Sequence, residues 1–176
     1  EMASNQIDLS AVIIAQHEAS HLHALLPRLA GALAGLGART EILIADADAD
    51  GTTAAVAAEW GAQIVRPAAS GYGRALAAGF SAARGDYIMT MDGDASHPLE
   101  LIAAMWARRG EAPLVLASPE SRGWRSARQL TSRALNAIFR RLLSLNVRYT
   151  ASGFRLYQGS ALAGLAPECT EIDTLR

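Results

Sequence analysis

The sequence predicts an α/β fold in which a mostly parallel sheet carries helices on both faces and the chain forms a single domain. Short apolar runs with the length and branched side chains of strands alternate with longer segments of helical periodicity. Such alternation is typical of parallel sheets built from βαβ units. The 176 residues, 51% hydrophobic and 19% charged, suffice for one sizeable core and exclude a disordered chain.

Each element follows from its local pattern. The predicted strands are residues 11–15, 41–45, 63–65, 86–91 and 113–117, and the predicted helices are residues 20–36, 52–60, 74–83, 99–108 and 125–145. In the first helix the leucines fall three or four residues apart, which places them on one face. They are Leu22, Leu25, Leu26, Leu29 and Leu33. We expect residues 1–9 to be a disordered or tag-derived segment, and residues 10–176 to form the domain, shortened at its C-terminus.

Composition excludes several classes of protein. All sixteen residues in the Lys+Arg count are arginines, so Schiff-base catalysis and the lysine-dependent phosphate loop are absent. The net charge of −1 argues against a nucleic-acid partner. The single cysteine, Cys169, excludes an internal disulfide and fits a cytoplasmic protein. No apolar run reaches the roughly 20 residues that a membrane span needs.

In a doubly wound sheet, ligands bind at the carboxyl ends of the strands, so polar residues that follow strands are candidates for a site. The sharpest candidate is Asp92-Gly93-Asp94, directly after the fourth predicted strand. Two carboxylates with this spacing suit Mg²⁺ or Mn²⁺, which prefer oxygen ligands, and Gly93 lets a ligand approach the backbone. The alternative is a solvated acidic turn.

A second motif competes for a metal. His17, Glu18 and His21 match H-E-x-x-H, in which two histidines on one helical turn bind zinc. However, His17 directly follows a predicted strand, where a turn is expected. The alternative is that these histidines lie at the surface or cap the helix.

Two further segments follow strands. Asp46 directly follows the second predicted strand and would contact a base or ribose. Alternatively, it would only solvate a turn with Asp48 while Asp50 caps the next helix. The segment from Gly71 to Arg74 precedes a helix. It is either a flexible helix start or a set of amides that approach an anion.

Taken together, these segments resemble the family-2 glycosyltransferases of the GT-A (Rossmann-like) fold, and most closely the polyprenyl-phosphate sugar transferases of the dolichol-phosphate mannosyltransferase type. The resemblance is strongest in GYGRALAAGFSAARGDYIMTMDGDASHPLEL and returns in TASGFRLY. It extends from Ser10 to about Leu162. It implies a metal-dependent, inverting transfer of a sugar from a nucleotide-sugar donor, GDP-mannose-like, to a polyprenyl phosphate.

The resemblance also implies roles on the donor side. Glu18 and Asp46 would contact the nucleotide, and Gly71, Gly73, Arg74 and Gly93 would border the donor. Asp92 and Asp94 would hold Mg²⁺ or Mn²⁺ on its diphosphate, with Ser96 beside the metal.

On the acceptor side, Arg128 and Ser132 of RQLTS match the R-x-x-x-S that binds the acceptor phosphate in these transferases. Arg155 would lie near the same phosphate, and Arg122 would replace an arginine that is missing from the preceding loop. Asp94, Arg128 and Ser132 are therefore the expected catalytic residues. By the same resemblance, the protein would be cytoplasmic, with peripheral contact to the inner face of the membrane.

The chain departs from the family pattern at several positions. Ile14, Gln16 and His17 replace the proline, aromatic residue and asparagine that precede Glu18, and Ala45 replaces an aspartate. Two alternatives therefore stay open. One is transfer to a soluble small-molecule acceptor, and the other is a catalytically silent domain that binds a nucleotide sugar.

Overall fold

The structure is a computed structural model that describes residues 6–16, 18–117 and 153–162. The strands in these residues are β1 (Ile7–Ile14), β2 (Thr40–Ala45), β3 (Gln63–Val65), β4 (Gly85–Asp92), β5 (Leu114–Leu116) and β6 (Arg155–Gln158). The helices are α1 (Ala19–Ala34), α2 (Gly51–Glu59), α3 (Tyr72–Ala82), α4 (Ile102–Ala107), which follows a 3₁₀ turn at Leu99–Leu101, and α5 (Gly159–Leu162).

The strands form one mixed sheet in the order β3-β2-β1-β4-β6-β5. The pairs β2–β3, β1–β2 and β1–β4 are parallel, whereas β6 runs antiparallel to both β4 and β5. In the register of β1 and β4, Ile14 is the partner of Asp92. The carboxyl ends of the two central strands therefore meet at the same edge of the sheet.

Helices cover both faces, as the alternation predicts. Alternate side chains of β1 point to opposite faces. Ala11 and Ile13 pack in the same core cluster as the α1 leucines, whereas Val12 and Ile14 pack with Ala75 of α3. All five α1 leucines are buried, so the predicted apolar face of this helix is confirmed.

Most boundaries differ from the sequence prediction by one or two residues, and three differences are larger. First, β1 begins at Ile7 rather than at residue 11, so residues 7–9 belong to the sheet although we expected them to lie outside the domain. Second, α4 is preceded by a 3₁₀ turn. Third, β6 was not predicted, because this strand has only four residues, RLYQ, and half of them are polar. The predicted helix at residues 125–145 lies outside the described residues.

Candidate active site

An open cleft of ≈ 270 Å³ lies at the carboxyl ends of β1 and β4. It contains both carboxylates of the D-G-D motif. Its walls are Ile14, Ala15, Gln16, Glu18, Ala47, Asp48, Pro67, Ser70, Gly71, Tyr72, Ala75, Asp92 and Asp94. Segments that are distant in sequence therefore come together where ligands bind in α/β sheets.

Asp92 is the last residue of β4, and two neighbours hold its carboxylate. The Oδ2 atom lies 3.1 Å from Nε2 of His97. On another side the carboxylate packs against Gly153, where an added Cβ would lie 2.7 Å from Oδ1 and 2.8 Å from Oδ2. Only glycine allows this close approach, and the Asp92 side chain is still 37% exposed. Its carboxylate is thus both held and accessible from the cleft.

Asp94 is held by the tight turn that follows it. The backbone N–H of Ser96 donates to Asp94 Oδ1 at 2.9 Å. Burial favours a higher pKa for Asp94, but the hydrogen bonds from Ser96 outweigh it, so the pKa lies below its ordinary value and the carboxylate is ionised at neutral pH. Ala95, which lies between Asp94 and Ser96, has a φ of 56°. This left-handed conformation is uncommon outside glycine and often found at functional sites.

Glu18 lies just before α1 and beside the D-G-D motif. Its Oε2 atom is buried and has no hydrogen-bond partner among the described residues. A Cβ added at Gly93 would collide with this atom, so the D-G-D motif needs glycine in its centre. Burial, followed by the nearby negative charge of Asp94, raises the pKa of the Glu18 carboxyl.

The aspartates after β2 have different environments. Asp46 is 1% exposed, and its Oδ1 accepts a hydrogen bond from the Asp48 N–H at 2.9 Å. Asp48, not Asp46, lines the cleft, where its Oδ2 accepts a hydrogen bond from the Ser70 hydroxyl at 3.3 Å. Asp50 accepts a hydrogen bond from the Thr53 N–H at 2.9 Å and caps α2, as the structural alternative predicted.

The G-Y-G-R segment forms the start of α3. Gly71 has a φ of 132°, which favours glycine, and Arg74 donates to the Ser70 carbonyl at 3.1 Å. Gly71 lines the cleft, whereas Gly73 and Arg74 do not. Tyr72 is half exposed at the cleft wall; burial around its hydroxyl and the nearby Asp92 carboxylate raise its pKa to about 12.

Arg155 lies on β6, where it pairs with Thr90 of β4 and donates to the Tyr157 hydroxyl at 3.3 Å. It does not line the cleft, although its positive charge partly offsets the rise in the pKa of Tyr72. The other three residues expected at the acceptor phosphate, Arg122, Arg128 and Ser132, lie outside the described residues.

The H-E-x-x-H pattern does not form the helical zinc motif. Helix α1 begins at Ala19, two positions after His17, which itself lies outside the described residues, whereas the zinc motif requires both histidines within one helix. His21 is on α1 and exposed. Within the described part of the chain, no three His, Cys, Asp or Glu side chains form a cluster that would hold a metal.

Comparison with known proteins assigns the chain to a family. The sequence profile named glycosyl transferase family 2 matches residues 10–164, which include every element described above except the first three residues of β1. The chain belongs to this family. Its likeness to dolichol-phosphate mannosyltransferases in particular is not confirmed by these comparisons.

One similar protein is the low-salt glycan biosynthesis hexosyltransferase Agl6 of Haloferax volcanii, 30% identical over 112 residues, which are 62% of this chain and 27% of Agl6. The fold also matches mannosyl-3-phosphoglycerate synthase from Rubrobacter xylanophilus, with a TM-score of 0.66 and 24% identity. That match covers 89% of this chain and 54% of the synthase.

A third match is glucosyl-3-phosphoglycerate synthase from Mycobacterium tuberculosis in complex with Mn²⁺, UDP and glucosyl-3-phosphoglycerate. It has a TM-score of 0.66 and 22% identity, over 89% of this chain and 58% of that one. The chain thus spans about a quarter of Agl6 and somewhat more than half of each synthase. These structural matches confirm the predicted α/β fold of GT-A type.

The structure adds residues to the site of this family-2 chain that we did not predict. Asp48 lines the cleft, Gly153 packs against Asp92, and His97 contacts Asp92 directly. Tyr72, which also lines the cleft, lies within the predicted segment from Gly71 to Arg74. The S-H-P sequence after D-G-D was the available signal for His97, but the spacing alone does not show that its ring turns back toward β4.

None of the helices in the described stretches has the length and hydrophobicity that a membrane span requires.

Proposed function

We propose that this domain binds a nucleotide-sugar donor with Mg²⁺ or Mn²⁺ and catalyses inverting transfer of its sugar. The observation that carries the proposal is the pair of carboxylates, Asp92 and Asp94, that faces one open cleft at the carboxyl ends of the central strands. The family membership and the Mn²⁺ and UDP bound by a protein of the same fold support it.

The donor atoms fit a hard divalent cation. Both groups are carboxylates, and Asp94 is held in its ionised form by Ser96. When bound, the cation would offset the negative charge that develops on the departing nucleoside diphosphate. Two protein carboxylates leave coordination positions for diphosphate oxygens and water, which is how Mg²⁺ is commonly held in phosphate-transfer sites.

The remaining cleft residues serve the donor. Glu18 and Asp48 face the cleft from the ends of β1 and β2, where they would contact the nucleoside. Gly71 and Tyr72 border the site at the start of α3, close to Asp92, where the diphosphate and sugar would lie. Asp46 supports this wall through its hydrogen bond to Asp48.

For the acceptor we propose a polyprenyl phosphate, bound by Arg128, Ser132 and Arg155 with Arg122 nearby. The support is the resemblance of RQLTS and SGFR to the lipid-phosphate transferases. Guanidinium groups bind phosphate oxygens bidentately, which suits a chain without lysine. An ionised phosphate attacks the anomeric carbon as the bond to the diphosphate breaks, so no dedicated base is needed.

The second candidate is a small soluble acceptor that carries a phosphate or carboxylate. It is favoured by the phosphoglycerate synthases that share this fold. A transfer assay with a short-chain polyprenyl phosphate beside 3-phosphoglycerate and glycerol 3-phosphate separates the two candidates. Product from the lipid phosphate alone supports the first candidate, and product from the soluble acceptors alone contradicts it.

The donor proposal is tested on the carboxylates themselves. Asp92→Asn and Asp94→Asn should each abolish Mn²⁺-dependent nucleotide-sugar binding in calorimetry and sugar transfer in the same assay. Asp86→Asn is the matched control, because Asp86 is an exposed aspartate near the opposite end of the same strand. If both site variants bind and transfer like the wild type, the proposal is wrong. Binding without turnover by the wild type would instead support the catalytically silent alternative.

A further inference from the structure

His97 lies beside the Asp92 carboxylate but does not line the cleft. Its side chain is 10% exposed, and it is not among the cleft walls. One ring face stacks on Phe154, with centroids 5.2 Å apart and an interplanar angle of 26°. Its Nε2 atom points to Asp92 Oδ2 at 3.1 Å. The ring thus contacts the carboxylate from a largely buried position.

Local geometry explains why the ring returns to β4. Asp94 and Ser96 close a tight turn through their hydrogen bond, and Ala95 takes a left-handed conformation within it. The chain therefore reverses direction directly after the second carboxylate. Pro98, which follows His97, is extended with a ψ of 98° and leads into the 3₁₀ turn.

The support beneath the ring comes from a distant segment. Phe154 is fully buried, and the carbonyl of Gly153 accepts a hydrogen bond from the Thr90 hydroxyl at 2.8 Å. Gly153 also packs against both oxygens of Asp92. Three parts of the chain, namely the end of β4, the following turn and the segment before β6, therefore fix one carboxylate.

We propose that His97 is a positioning residue that, with Gly153, fixes the orientation of the Asp92 carboxylate for the divalent cation. A carboxylate only accepts hydrogen bonds, so the bond requires the proton on Nε2 of His97. Partners of this kind orient metal-binding side chains, and their loss typically weakens metal binding about 10- to 100-fold. The proposal rests on the proposed function, because it assigns Asp92 to the metal.

A purely structural role for His97 makes a different prediction. The ring stack with Phe154 is buried and would serve stability whether or not Nε2 carries a donor. The hydrogen bond to Asp92 reaches a carboxylate that is partly in solvent, where such contacts add little to stability. Variants that remove the stack and the donor separately therefore distinguish the two roles.

The test uses His97→Phe, which keeps an aromatic ring on Phe154 but loses the donor, and His97→Gln, which loses the ring but keeps an N–H donor. His23→Phe is the matched control, because His23 is exposed on α1. Mn²⁺ is titrated by electron paramagnetic resonance in the presence of UDP or GDP, whichever stabilises the wild type. Unfolding of each variant is measured by denaturant titration.

We expect His97→Phe to weaken Mn²⁺ binding about 10- to 100-fold with little loss of stability, while His97→Gln and His23→Phe bind close to the wild type. Wild-type Mn²⁺ affinity in His97→Phe overturns the positioning role alone. The positioning role is also overturned if both His97 variants bind Mn²⁺ more weakly in proportion to their loss of stability. If the wild-type protein itself binds no Mn²⁺ with a nucleotide, the proposed function fails and takes this proposal with it.

Discussion

Among the residues that line the cleft, Glu18 has a carboxyl group in an unusual environment. One of its oxygens is buried without a partner in the described structure, and three aspartates, Asp46, Asp92 and Asp94, surround it with negative charge. These aspartates add to the effect of burial in raising its pKa. An uncharged carboxyl is therefore favoured there more strongly than in the unfolded chain, and the cost appears when it ionises.

This gives a prediction for pH dependence. Because the folded pKa of Glu18 lies above the ordinary 4.5, its contribution to stability is fully present below pH 4.5 and is lost as the pH rises through the folded pKa. Glu18→Gln removes that loss. The variant should therefore gain stability relative to the wild type as the pH rises toward 7, measured by urea unfolding at several pH values.

Glu59→Gln is the control, since Glu59 is exposed at the end of α2. The gain of Glu18→Gln toward pH 7 should exceed that of this control. A Glu18→Gln variant that is less stable than the wild type at pH 7 would contradict the prediction. Such a result would mean that a bound partner stabilises the ionised Glu18 carboxylate in the folded protein.

At the scale of elements, a buried polar network joins the central strands. Glu41 of β2 is 7% exposed and accepts hydrogen bonds from the Ser10 hydroxyl of β1 at 2.6 Å and from the Arg84 backbone N–H at 2.9 Å. The Arg84 guanidinium binds its other oxygen, at 2.9 Å from Nε and 2.6 Å from Nη2. Burial acts to raise the pKa of Glu41, but these hydrogen bonds prevail and lower it.

We predict that Glu41→Ala lowers the free energy of unfolding at pH 7 by about 1–3 kcal/mol, because it leaves the buried Ser10 hydroxyl without its acceptor and removes the partner of the Arg84 guanidinium. The effect should shrink in acid. With a folded pKa below 4.5, the contribution of Glu41 is present above the unfolded pKa and is lost as the pH falls through the folded pKa. Denaturant unfolding at pH 7 and pH 3 measures both parts.

Glu111→Ala is the matched control. Glu111 forms an exposed ion pair with Arg108 at 2.9 Å, and such pairs contribute about 0–1 kcal/mol. Equal losses at the two positions would show that the buried network adds nothing beyond a surface pair.

For the whole molecule, donor binding should appear as stabilisation of the fold. A ligand at a hundred times its Kd adds about 2.7 kcal/mol to the stability of the folded state. For a chain of this size that corresponds to a rise in Tm of about 5–10 °C. Thermal unfolding with GDP-, UDP-, dTDP- and ADP-sugars, each with and without Mn²⁺, measures it.

We expect one nucleotide to give the shift only with Mn²⁺ and the shift to vanish in Asp92→Asn. Mn²⁺ with inorganic phosphate is the control for a nonspecific effect of the ion. An equal shift with every nucleotide, or an undiminished shift in Asp92→Asn, would contradict selective binding in this cleft.

The sequence predicted the parts whose signals are local. The leucines of α1 repeat with the helical period and are buried, and Asp92 and Asp94 follow a strand and face the cleft. It did not predict that Asp48 rather than Asp46 lines the cleft, because two alternating aspartates in a turn have the same local pattern. The contact of His97 with Asp92 was missed since it depends on how the turn folds back.

The sequence by itself thus determined the alternation of strands and helices and the position of an acidic pair at a strand end, because periodicity and strand-end polarity are properties of neighbouring residues. Only the tertiary structure decided that β6 lies between β4 and β5 and brings Gly153 and Phe154 to Asp92 and His97. Thr90 and Gly153, which join there, are 63 positions apart. Contacts over such distances depend on which faces pack together, and no local pattern encodes that choice.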